Sequence, residues 1–217
     1  MTLIDSVEIP DIFCASPECL FQIDFNRKNS WHWIETFPIK GTIKGEGKNE
    51  WKMLKSSKKD QAELFMIADL MRNDLSRFSN LPSHVLSRKE RLKAPGLTHQ
   101  FSHLGSYFRE KNLWDLMESL FPGGSITGAP KKTVMHIIDK LESWNRGFYC
   151  GSTILWRAEH LASSINIRTA CYNKRTQNLL YGAGGGLGLL SHLDSEYDEM
   201  MHKAQSFFTN LTKSSSK

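Results

Sequence analysis

Apolar residues recur with a helical period in one long segment of the chain, QAELFMIADLMRNDLSRF. Just before it, Ser57 and Asp60 have the S-x-x-D form of a capping box, in which a serine side chain satisfies a free backbone N–H at a helix start. The pattern therefore predicts a helix that begins near Ser57. Its apolar stripe, spaced near 3.6 residues per turn, comprises Leu64, Ile67, Leu70, Met71 and Leu75.

Four further segments are predicted to be helical from their apolar spacing. They are FSHLGSYF, KNLWDLMESLF, KTVMHIIDKLES and a last helix from about Ser195 to Leu211. The turn-rich loop FPGGSITGAPKK precedes the third of these segments. Ser195 and Asp198 repeat the S-x-x-D form and predict the start of the last helix.

Strand patterns fill much of the remaining chain. Residues 11–26 indicate two short strands around a Ser-Pro turn, and residues 33–44 indicate a strand that is interrupted at Pro38 and at Gly41. The segments GFYCGSTILWR, ASSINIRTACYN and NLLYGAGGG predict an antiparallel meander. Together the elements predict an α+β fold in which helices cover a largely antiparallel sheet.

The composition is typical of a globular protein, with 40% apolar and 24% charged residues in a chain of 217, a length that favours one large domain. No apolar run approaches the roughly 20 residues of a membrane span, and the N-terminus lacks the basic start and apolar core of a signal peptide, so we expect a cytoplasmic protein. The net charge of +5 comes from dispersed lysines that form no basic stripe. This distribution argues against nucleic-acid binding and suits a small anionic substrate.

The cysteines are scattered along the chain and form no CxxC pair. They are Cys14, Cys19, Cys150 and Cys171. This pattern favours reduced thiols and disfavours a zinc site.

Two predicted helix starts carry pairs of acidic residues. Asp60 and Glu63 are three residues apart at one start, and Glu196 and Glu199 at the other, so each pair lies on one helix face. Acids in a first turn also complement the helix dipole, which is an ordinary structural role. Two such pairs facing each other would form an oxygen-rich site for a hard cation such as Mg²⁺. Lys203 falls on the face of Glu199, where it can reach an anion or simply pair with that carboxylate.

Two glycine-rich runs resemble nucleotide-binding motifs without matching them. In GGSITGAPKKT, Ala129 and Pro130 stand where a P-loop has its lysine and its serine or threonine. In GAGGGLG, Leu187 takes the place of the third glycine of a dinucleotide-binding turn. The backbone N–H groups of residues 184–186 can still approach a carboxylate closely, because no side chain stands in the way.

Four single residues have both an ordinary and a functional interpretation. Lys40 lies between a proline turn and a glycine, and is either a loop charge or a nucleophile. Arg168, on a predicted strand, is either solvated or binds a carboxylate through two hydrogen bonds. His103 is a lone histidine, and such a residue is more often structural than catalytic. Glu18 follows a proline turn beside apolar residues, where partial burial would raise its pKa and suit it to general-acid chemistry, although an exposed turn acid is the simpler interpretation.

Taken in order along the chain, these segments resemble the serial motifs of the chorismate-utilising enzymes. That family includes anthranilate synthase component I, aminodeoxychorismate synthase component I and the isochorismate and salicylate synthases. The motifs are ASPECLF, FPIKGT, KKDQAELFMIADLMRNDLSR, FSHLGS, FPGGSITGAPKKTVMHIIDKLE, RGFYCG, INIRT, GAGGG and SEYDEMMHKA, and they run from about Ala15 to Phe208. The resemblance implies the family's sandwich of largely antiparallel sheets covered by helices.

Within the family, the residue at position 40 separates two branches. Anthranilate and isochorismate enzymes typically have alanine there, whereas Lys40 resembles aminodeoxychorismate synthase component I. By that resemblance Lys40 is a covalent nucleophile that attacks C2 of the chorismate ring while the C4 hydroxyl leaves. Ammonia from a glutamine amidotransferase subunit then adds at C4, giving 4-amino-4-deoxychorismate for p-aminobenzoate and folate synthesis. An anthranilate synthase component I remains the alternative.

The resemblance also implies roles for the other candidate residues. Glu18 matches the acid that protonates the leaving hydroxyl, and His103 matches a histidine near the ring. The Mg²⁺ site, which binds the ring carboxylate, matches Asp60, Glu63, Glu196 and Glu199. The groups that hold the substrate match Thr127, Tyr149, Arg168, Gly185, Gly186 and Lys203.

The chain also differs from the family in its length. Relatives have a long segment upstream of the SPE motif, whereas 15 residues precede Ser16 here. We therefore expect residues 1–212 to be the C-terminal portion of a catalytic domain and residues 213–217 to be a disordered tail. The chain is then a truncated, non-catalytic remnant, half of a split enzyme completed by another chain, or a compact form that dimerises. Missing strands would leave unpaired sheet edges and exposed apolar surface.

Overall fold

The structure is a computed structural model that describes residues 10–26, 28, 30–109, 112–189 and 191–214. Its residues group into two compact units. The large unit comprises residues 18–145 and 152–165, and the small unit comprises residues 1–17, 146–151 and 166–217. Within the described part of the chain, no helix is both long enough and apolar enough to cross a membrane.

Strands and helices are mixed along the chain, which confirms the predicted α+β class. The strands are β1 (Asp11–Cys14), β2 (Cys19–Asp24), β3 (His32–Phe37), β4 (Ile39–Lys44), β5 (His84–Ala94), β6 (Leu97–Phe108), β7 (Ser152–Arg157), β8 (His160–Ile165), β9 (Thr169–Asn173) and β10 (Asn178–Tyr181). The α-helices are α1 (Lys48–Ser56), α2 (Lys58–Ser79), α3 (Leu113–Leu120), α4 (Lys131–Leu141) and α5 (Leu193–Ser214).

Among the described residues, each unit contains one antiparallel sheet. In the large unit a seven-stranded sheet has the order β4-β6-β3-β2-β8-β7, and β5 also pairs with β6. Strands β3 and β4 pair with successive parts of β6, so the strand predicted over residues 33–44 is confirmed together with its interruption at Pro38. In the small unit β9 lies between β1 and β10.

The core of the large unit lies between α2 and one face of its sheet. On β3, Thr36 is fully buried and its hydroxyl lies 3.9 Å from the sulfur of Met71 on α2. On β6, Ser106 donates a hydrogen bond of 3.0 Å to Ser79 at the end of α2. The predicted apolar stripe supplies the helical side of this core, where Leu64, Ile67, Met71 and Leu75 are all buried.

The start of α2 has the predicted serine cap. The Ser57 side chain accepts a hydrogen bond of 3.3 Å from the backbone N–H of Asp60, which satisfies one of the free donors at the helix start. This cap places Asp60 in the first turn and Glu63 one turn later. The predicted helices KNLWDLMESLF and KTVMHIIDKLES are likewise confirmed, as α3 and α4.

The prediction of a helix for FSHLGSYF is wrong, because this segment is the last two thirds of strand β6. Its backbone pairs with β5 along one edge and with β3 and β4 along the other. Hydrogen bonds to neighbours distant in sequence outweigh a short local pattern, which is a common cause of error in short apolar segments. The hairpin from β5 to β6 turns at Pro95 and Gly96, where a glycine φ of +73° suits a type II turn.

The predicted three-stranded meander is also wrong, since its segments form two hairpins in two sheets. Strands β7 and β8 pair in the large unit, and β9 and β10 pair in the small unit. The break falls between β8 and β9, where Arg168 has a φ of +51°. This left-handed conformation cannot continue a strand, so Arg168 lies in a bend and not on the predicted strand.

The last helix is confirmed as α5, but its predicted cap is not. The helix begins at Leu193, and the N–H of Glu196 donates to the carbonyl of His192 at 3.0 Å. Ser195 is therefore already inside the first turn and cannot cap the helix. The backbone of α5 continues to Ser214, and residues 215–217 of the predicted tail lie outside the described residues.

Strand β4 carries a β-bulge at Lys40 and Gly41. These two residues stand opposite the single Gln100 of β6. The flanking residues keep their register, with Ile39 opposite Phe101 and Thr42 opposite His99. A bulge bends its strand and turns a side chain away from the regular alternation, so this irregularity sets the direction of Lys40.

Close packing explains why a glycine follows Lys40. Gly41 has a φ of +85°, a conformation that other residues rarely adopt. A Cβ atom at Gly41 would lie 2.9 Å from Gln100 Nε2 and 3.0 Å from Asp60 Cβ and from Leu54 Cδ1. The absence of a side chain thus lets β4 approach β6, α1 and α2 at one point.

We predict that Gly41→Ala destabilises the protein more than Gly96→Ala does. Both glycines have a left-handed φ, but a Cβ at Gly96 would meet nothing within 4 Å. Gly96→Ala should therefore cost about 1 kcal/mol from backbone strain, and Gly41→Ala about 3 kcal/mol because overpacking is added. Urea unfolding of the two variants measures the difference, and equal losses would contradict the tight packing at Gly41.

Candidate active site

The residues predicted to form the site divide between the two units. The large unit contains Glu18, Lys40, Asp60, Glu63, His103 and Thr127. The small unit contains Tyr149, Arg168, Gly185, Gly186, Glu196, Glu199 and Lys203. Within each unit, several of these residues lie close together.

In the large unit, Lys40 lies near Glu18, and its neighbour Gly41 packs against Asp60. The bulge leaves Lys40 half-buried, and the adjacent Gly41 packs against the Cβ atom of Asp60. The charge of Lys40 also acts on the carboxyl of Glu18. The structure therefore places the Lys40 charge near the Glu18 carboxyl, and the residue after Lys40 against the first turn of α2.

The carboxyl of Glu18 is buried at the start of β2, with 7% of the residue exposed. Burial raises its pKa above the ordinary value, while the neighbouring Ser125 hydroxyl and the charge of Lys40 act in the opposite direction with smaller effects. Such a carboxyl keeps its proton to higher pH than an exposed one, which suits a general acid. The burial agrees with the functional interpretation of Glu18.

His103 lies on β6, on the face of the sheet opposite to α2, because its neighbours Leu104 and Ser106 belong to the core face. Its Nε2 atom is 2.8 Å from Oε2 of Glu35 on β3. The ring of Phe37 stacks on the imidazole with 4.6 Å between centroids. His103 is thus held by a carboxylate and an aromatic ring, which the sequence interpretation of a lone histidine did not foresee.

Glu35, the partner of His103, is not among the residues predicted from the sequence. A signal was present, since Glu35 is the one acid in the strand segment WIETF and alternates with Trp33 and Phe37 on one sheet face. An acidic residue between two aromatic residues on the same face is unusual for a solvated charge. The pattern alone did not show which partner the carboxylate would meet.

Cys19 is surrounded by the same carboxyl groups. Burial, followed by the charges of Glu35 and Glu18, raises the pKa of its thiol to about 12. The thiol therefore stays protonated near neutral pH. All four cysteines are free, in agreement with the expected reduced thiols.

The loop FPGGSITGAPKK belongs to the large unit and packs tightly against its β8 and α2. A Cβ at Gly123 would lie 2.4 Å from Ile165 Cδ1, and a Cβ at Gly124 would lie 2.6 Å from Leu70 Cδ2. These glycines therefore serve close packing, which explains the incomplete likeness to a P-loop. Thr127 donates a hydrogen bond of 3.0 Å to the carbonyl of Gly123 and so helps to hold the loop.

In the small unit, the glycine run packs against Tyr149. A Cβ at Gly182 would lie 2.2 Å from Tyr149 Cγ, and a Cβ at Gly184 would lie 2.9 Å from the Tyr149 hydroxyl. The carbonyl of Gly184 accepts a hydrogen bond of 3.2 Å from Lys203 Nζ. The run continues as exposed backbone through residues 185 and 186. Tyr149, the glycines and Lys203 thus form one cluster.

Arg168 lies near an aromatic cluster of the small unit. Its side chain is exposed at the bend before β9, and its charge acts on the hydroxyl of Tyr181. The Tyr181 ring stacks on Phe207 of α5 with 4.0 Å between centroids. Arg168 is available to an anion, as its functional interpretation requires.

One acid pair, Asp60 with Glu63, lies in the large unit, and the other, Glu196 with Glu199, lies in the small unit. Glu63 lies 3.9 Å from Lys59, and Glu199 lies 2.9 Å from Lys203. Glu196 is buried, and its Oε2 atom would be 3.7 Å from a Cβ at Gly185. Paired carboxylates are ligands that suit Mg²⁺. Among the described residues, however, no three His, Cys, Asp or Glu side chains gather in a metal-binding group.

Comparison with known proteins identifies the relatives of this chain. Residues 1–209 match the family described as chorismate binding enzyme. The chain is 37% identical to aminodeoxychorismate synthase component 1 of Salmonella typhimurium, in a match that covers 88% of the chain and 42% of that protein. It is 34% identical to anthranilate synthase component 1 of Saccharolobus solfataricus, over 91% of the chain and 47% of that protein.

A solved structure supports the same relationship. The anthranilate synthase component I from Streptococcus pneumoniae superposes with a TM-score of 0.75 at 29% identity, covering 92% of this chain and 44% of that one. The chain thus spans less than half the length of these three proteins. This share agrees with the expectation that it corresponds to one portion of a catalytic domain.

We predict that Glu18→Gln becomes increasingly more stable than the parent protein as the pH rises above 4.5. Because burial raises the pKa of Glu18, the folded protein binds this proton more tightly than the unfolded chain does. The resulting stabilisation is complete below the ordinary value of 4.5 and is lost as the pH rises through the folded pKa. The glutamine variant cannot ionise and escapes this loss.

Denaturant unfolding of parent and variant between pH 4 and pH 8 would measure this difference. Glu118→Gln, which removes an exposed carboxyl on α3, is the matched control. A Glu18→Gln difference that stays constant with pH would show that the carboxyl does not resist ionisation.

Proposed function

The chain belongs to the chorismate-binding enzyme family, and we propose that within it the chain is an aminodeoxychorismate synthase component I-like protein that acts on chorismate and ammonia. The observation that carries this proposal is Lys40 at the β4 bulge, close to the buried carboxyl of Glu18. An amine near a buried carboxyl whose pKa is raised offers a nucleophile and an acid for one displacement.

The proposed reaction has two displacements. In the first, the neutral Lys40 amine forms a bond to C2 of the ring, the ring double bonds shift, and the C4–O bond breaks. Glu18 gives its proton to the departing oxygen, which leaves as water. In the second, ammonia forms a bond to C4 and the C2–N bond to Lys40 breaks, which returns the lysine and yields 4-amino-4-deoxychorismate. Two easier steps thus replace one difficult substitution.

The small unit supplies the proposed groups for substrate carboxylates. Arg168 and Lys203 carry positive charge, Tyr149 offers a hydroxyl, and the backbone of Gly185 and Gly186 is exposed. Thr127 in the large unit is the remaining proposed contact, although its hydroxyl already donates to Gly123. Arginine is suited to a planar carboxylate because it donates two parallel hydrogen bonds.

We further propose that Mg²⁺ binding depends on both acid pairs, Asp60 with Glu63 and Glu196 with Glu199. Bound Mg²⁺ would offset the negative charge of the ring carboxylate. Within each unit, a lysine competes with this role, since Lys59 lies near Glu63 and Lys203 pairs with Glu199. Each lysine approaches the Oε1 oxygen of its carboxylate, so a metal bound at that oxygen would compete with the lysine.

We propose a glutamine amidotransferase subunit as the partner that supplies ammonia. Because the chain spans less than half the length of these relatives, we also propose a further segment or chain that completes the catalytic domain. The proposed setting is cytoplasmic folate synthesis. An anthranilate synthase component I-like activity is the second candidate, supported by relatives of that name at similar identity. Lys40 distinguishes the two.

We predict that Lys40→Ala abolishes ammonia-dependent formation of 4-amino-4-deoxychorismate, because the first displacement loses its nucleophile. With chorismate and Mg²⁺ but no ammonia, the parent should gain the mass of chorismate less one water on Lys40. Lys44→Ala, on the same strand and exposed, is the matched control and should behave as the parent. Intact-protein mass spectrometry and product chromatography give the two readouts.

An unchanged rate and product in Lys40→Ala would exclude the covalent role. Anthranilate as the product would favour the second candidate. If the parent forms no product and chorismate causes no thermal shift, the proposed enzymatic activity of the isolated chain is excluded.

We predict that Glu63→Gln and Glu199→Gln each abolish Mg²⁺-dependent binding of chorismate, because each removes a charged oxygen ligand. Titration calorimetry with and without Mg²⁺ measures the effect. Glu118→Gln in the large unit and Asp198→Asn in the small unit, both exposed, are the controls. Binding that persists in either glutamine variant removes that residue from the metal site.

A further inference from the structure

A hydrogen-bonded network surrounds Glu35 in the large unit. One carboxylate oxygen, Oε1, accepts from the side-chain amide of Gln22. The other, Oε2, accepts from the indole N–H of Trp33 at 3.1 Å and lies 2.8 Å from Nε2 of His103. Gln22, Trp33, Glu35 and His103 lie on the adjacent strands β2, β3 and β6. The hydrogen-bonded backbones of these strands fix the positions of the four side chains.

The register of the strands explains how these side chains meet. Glu35 lies opposite Gln22 on β2 and opposite Gly105 on β6. A Cβ at Gly105 would lie 2.1 Å from Cζ2 of Trp33. Only a glycine at this position leaves room for the indole to lie across β6 with its N–H directed at Glu35. The ring of Tyr107 then packs against Trp33 with 4.7 Å between centroids.

Each oxygen of the Glu35 carboxylate therefore accepts a hydrogen bond from a residue other than His103. Gln22 and Trp33 each donate one hydrogen bond, which fixes the orientation of the carboxylate. The imidazole of His103 is restrained in turn by its stacking on Phe37, with 26° between the two ring planes. Two restrained groups meeting at 2.8 Å form a defined hydrogen bond, and not a transient surface contact.

The ionisation of Glu35 decides the direction of that hydrogen bond. Partial burial alone would raise the pKa of Glu35, but the hydrogen bonds from Gln22, His103 and Trp33, with the charge of His103, together lower it. Near neutral pH the carboxylate is ionised and can only accept. The proton of the shared bond must therefore sit on Nε2 of His103, and a neutral ring then has its lone pair on Nδ1.

We propose that Glu35 is a positioning residue that holds His103 in the tautomer with its proton on Nε2, so that Nδ1 is the nitrogen that accepts a hydrogen bond or a proton from the substrate. The catalytic part of this inference rests on the proposed function, whereas the tautomer does not. A carboxylate that orients a histidine in this way fixes the ring and stabilises its protonated form.

A second histidine–carboxylate pair in the same unit provides a comparison. His160 forms a hydrogen bond with Asp24, but the two side chains are 74% and 64% exposed, respectively. The side chains of His103 and Glu35 are 26% and 15% exposed. Exposed pairs of this kind contribute little and exchange freely with water. Asp24→Asn thus makes a similar chemical change outside the network and is the matched control for Glu35→Gln.

The first test uses the unaltered chain. Long-range ¹H–¹⁵N correlation spectra of the ¹⁵N-labelled protein near pH 8 report which ring nitrogen of each histidine carries the proton, and His103→Gln assigns the signals. We expect His103 in a single tautomer with the proton on Nε2. A proton on Nδ1, or an even mixture of tautomers, would overturn the proposal without reference to activity.

The second test compares Glu35→Gln with Asp24→Asn and Gln22→Ala. Glu35→Gln should produce a tautomer mixture at His103 and lower kcat by roughly ten- to a hundredfold, the range found when an orienting partner is lost, with little change in KM. Asp24→Asn should leave both readouts unchanged. Gln22→Ala keeps the bond between Glu35 and His103 and should retain the tautomer.

The outcomes separate this inference from the proposed function. If the parent makes no product from chorismate and ammonia, the proposed function fails while the spectra still support or overturn the tautomer. If Glu35→Gln shifts the tautomer but leaves kcat unchanged, Glu35 has no positioning role in catalysis. A fall in kcat without a tautomer shift also overturns the proposal, because the loss then has another cause.

Discussion

The close packing of Gly41 is the constraint on which the large unit's candidate site depends. A Cβ atom at Gly41 would meet Leu54, Asp60 and Gln100, which belong to α1, α2 and β6. The left-handed conformation that permits this approach also forms the bulge that directs Lys40. The direction of the candidate nucleophile and the close approach of its strand to Asp60 therefore both depend on Gly41.

One face of the large sheet packs against α2, and the other face carries the polar network around Glu35. On β3, Ile34 and Thr36 point into the core beneath α2, whereas Trp33, Glu35 and Phe37 lie on the opposite face. The polar network around Glu35 can therefore be satisfied without polar groups entering the core. The carboxyl of Glu18, in contrast, is buried, and the cost of burying a charge appears as its raised pKa.

Local patterns predicted the elements whose stability is mostly local. The stripe and serine cap of α2 were correctly read, since a helix closes its hydrogen bonds within one segment. The same reasoning was wrong for FSHLGSYF, because β6 receives its hydrogen bonds from strands far away in sequence. It was also wrong at Arg168, where the chain leaves one sheet for another through a single left-handed residue.

By itself, the sequence determined the family, the order of the motifs and the chemical types of the site residues, because these are properties of residue identity and spacing. The tertiary structure decided which groups meet. It brought Lys40 near Glu18, showed that the loop glycines serve packing, and joined His103 to Glu35 across two strands. Such contacts depend on strand register and burial, and neither is encoded in the spacing along a single segment.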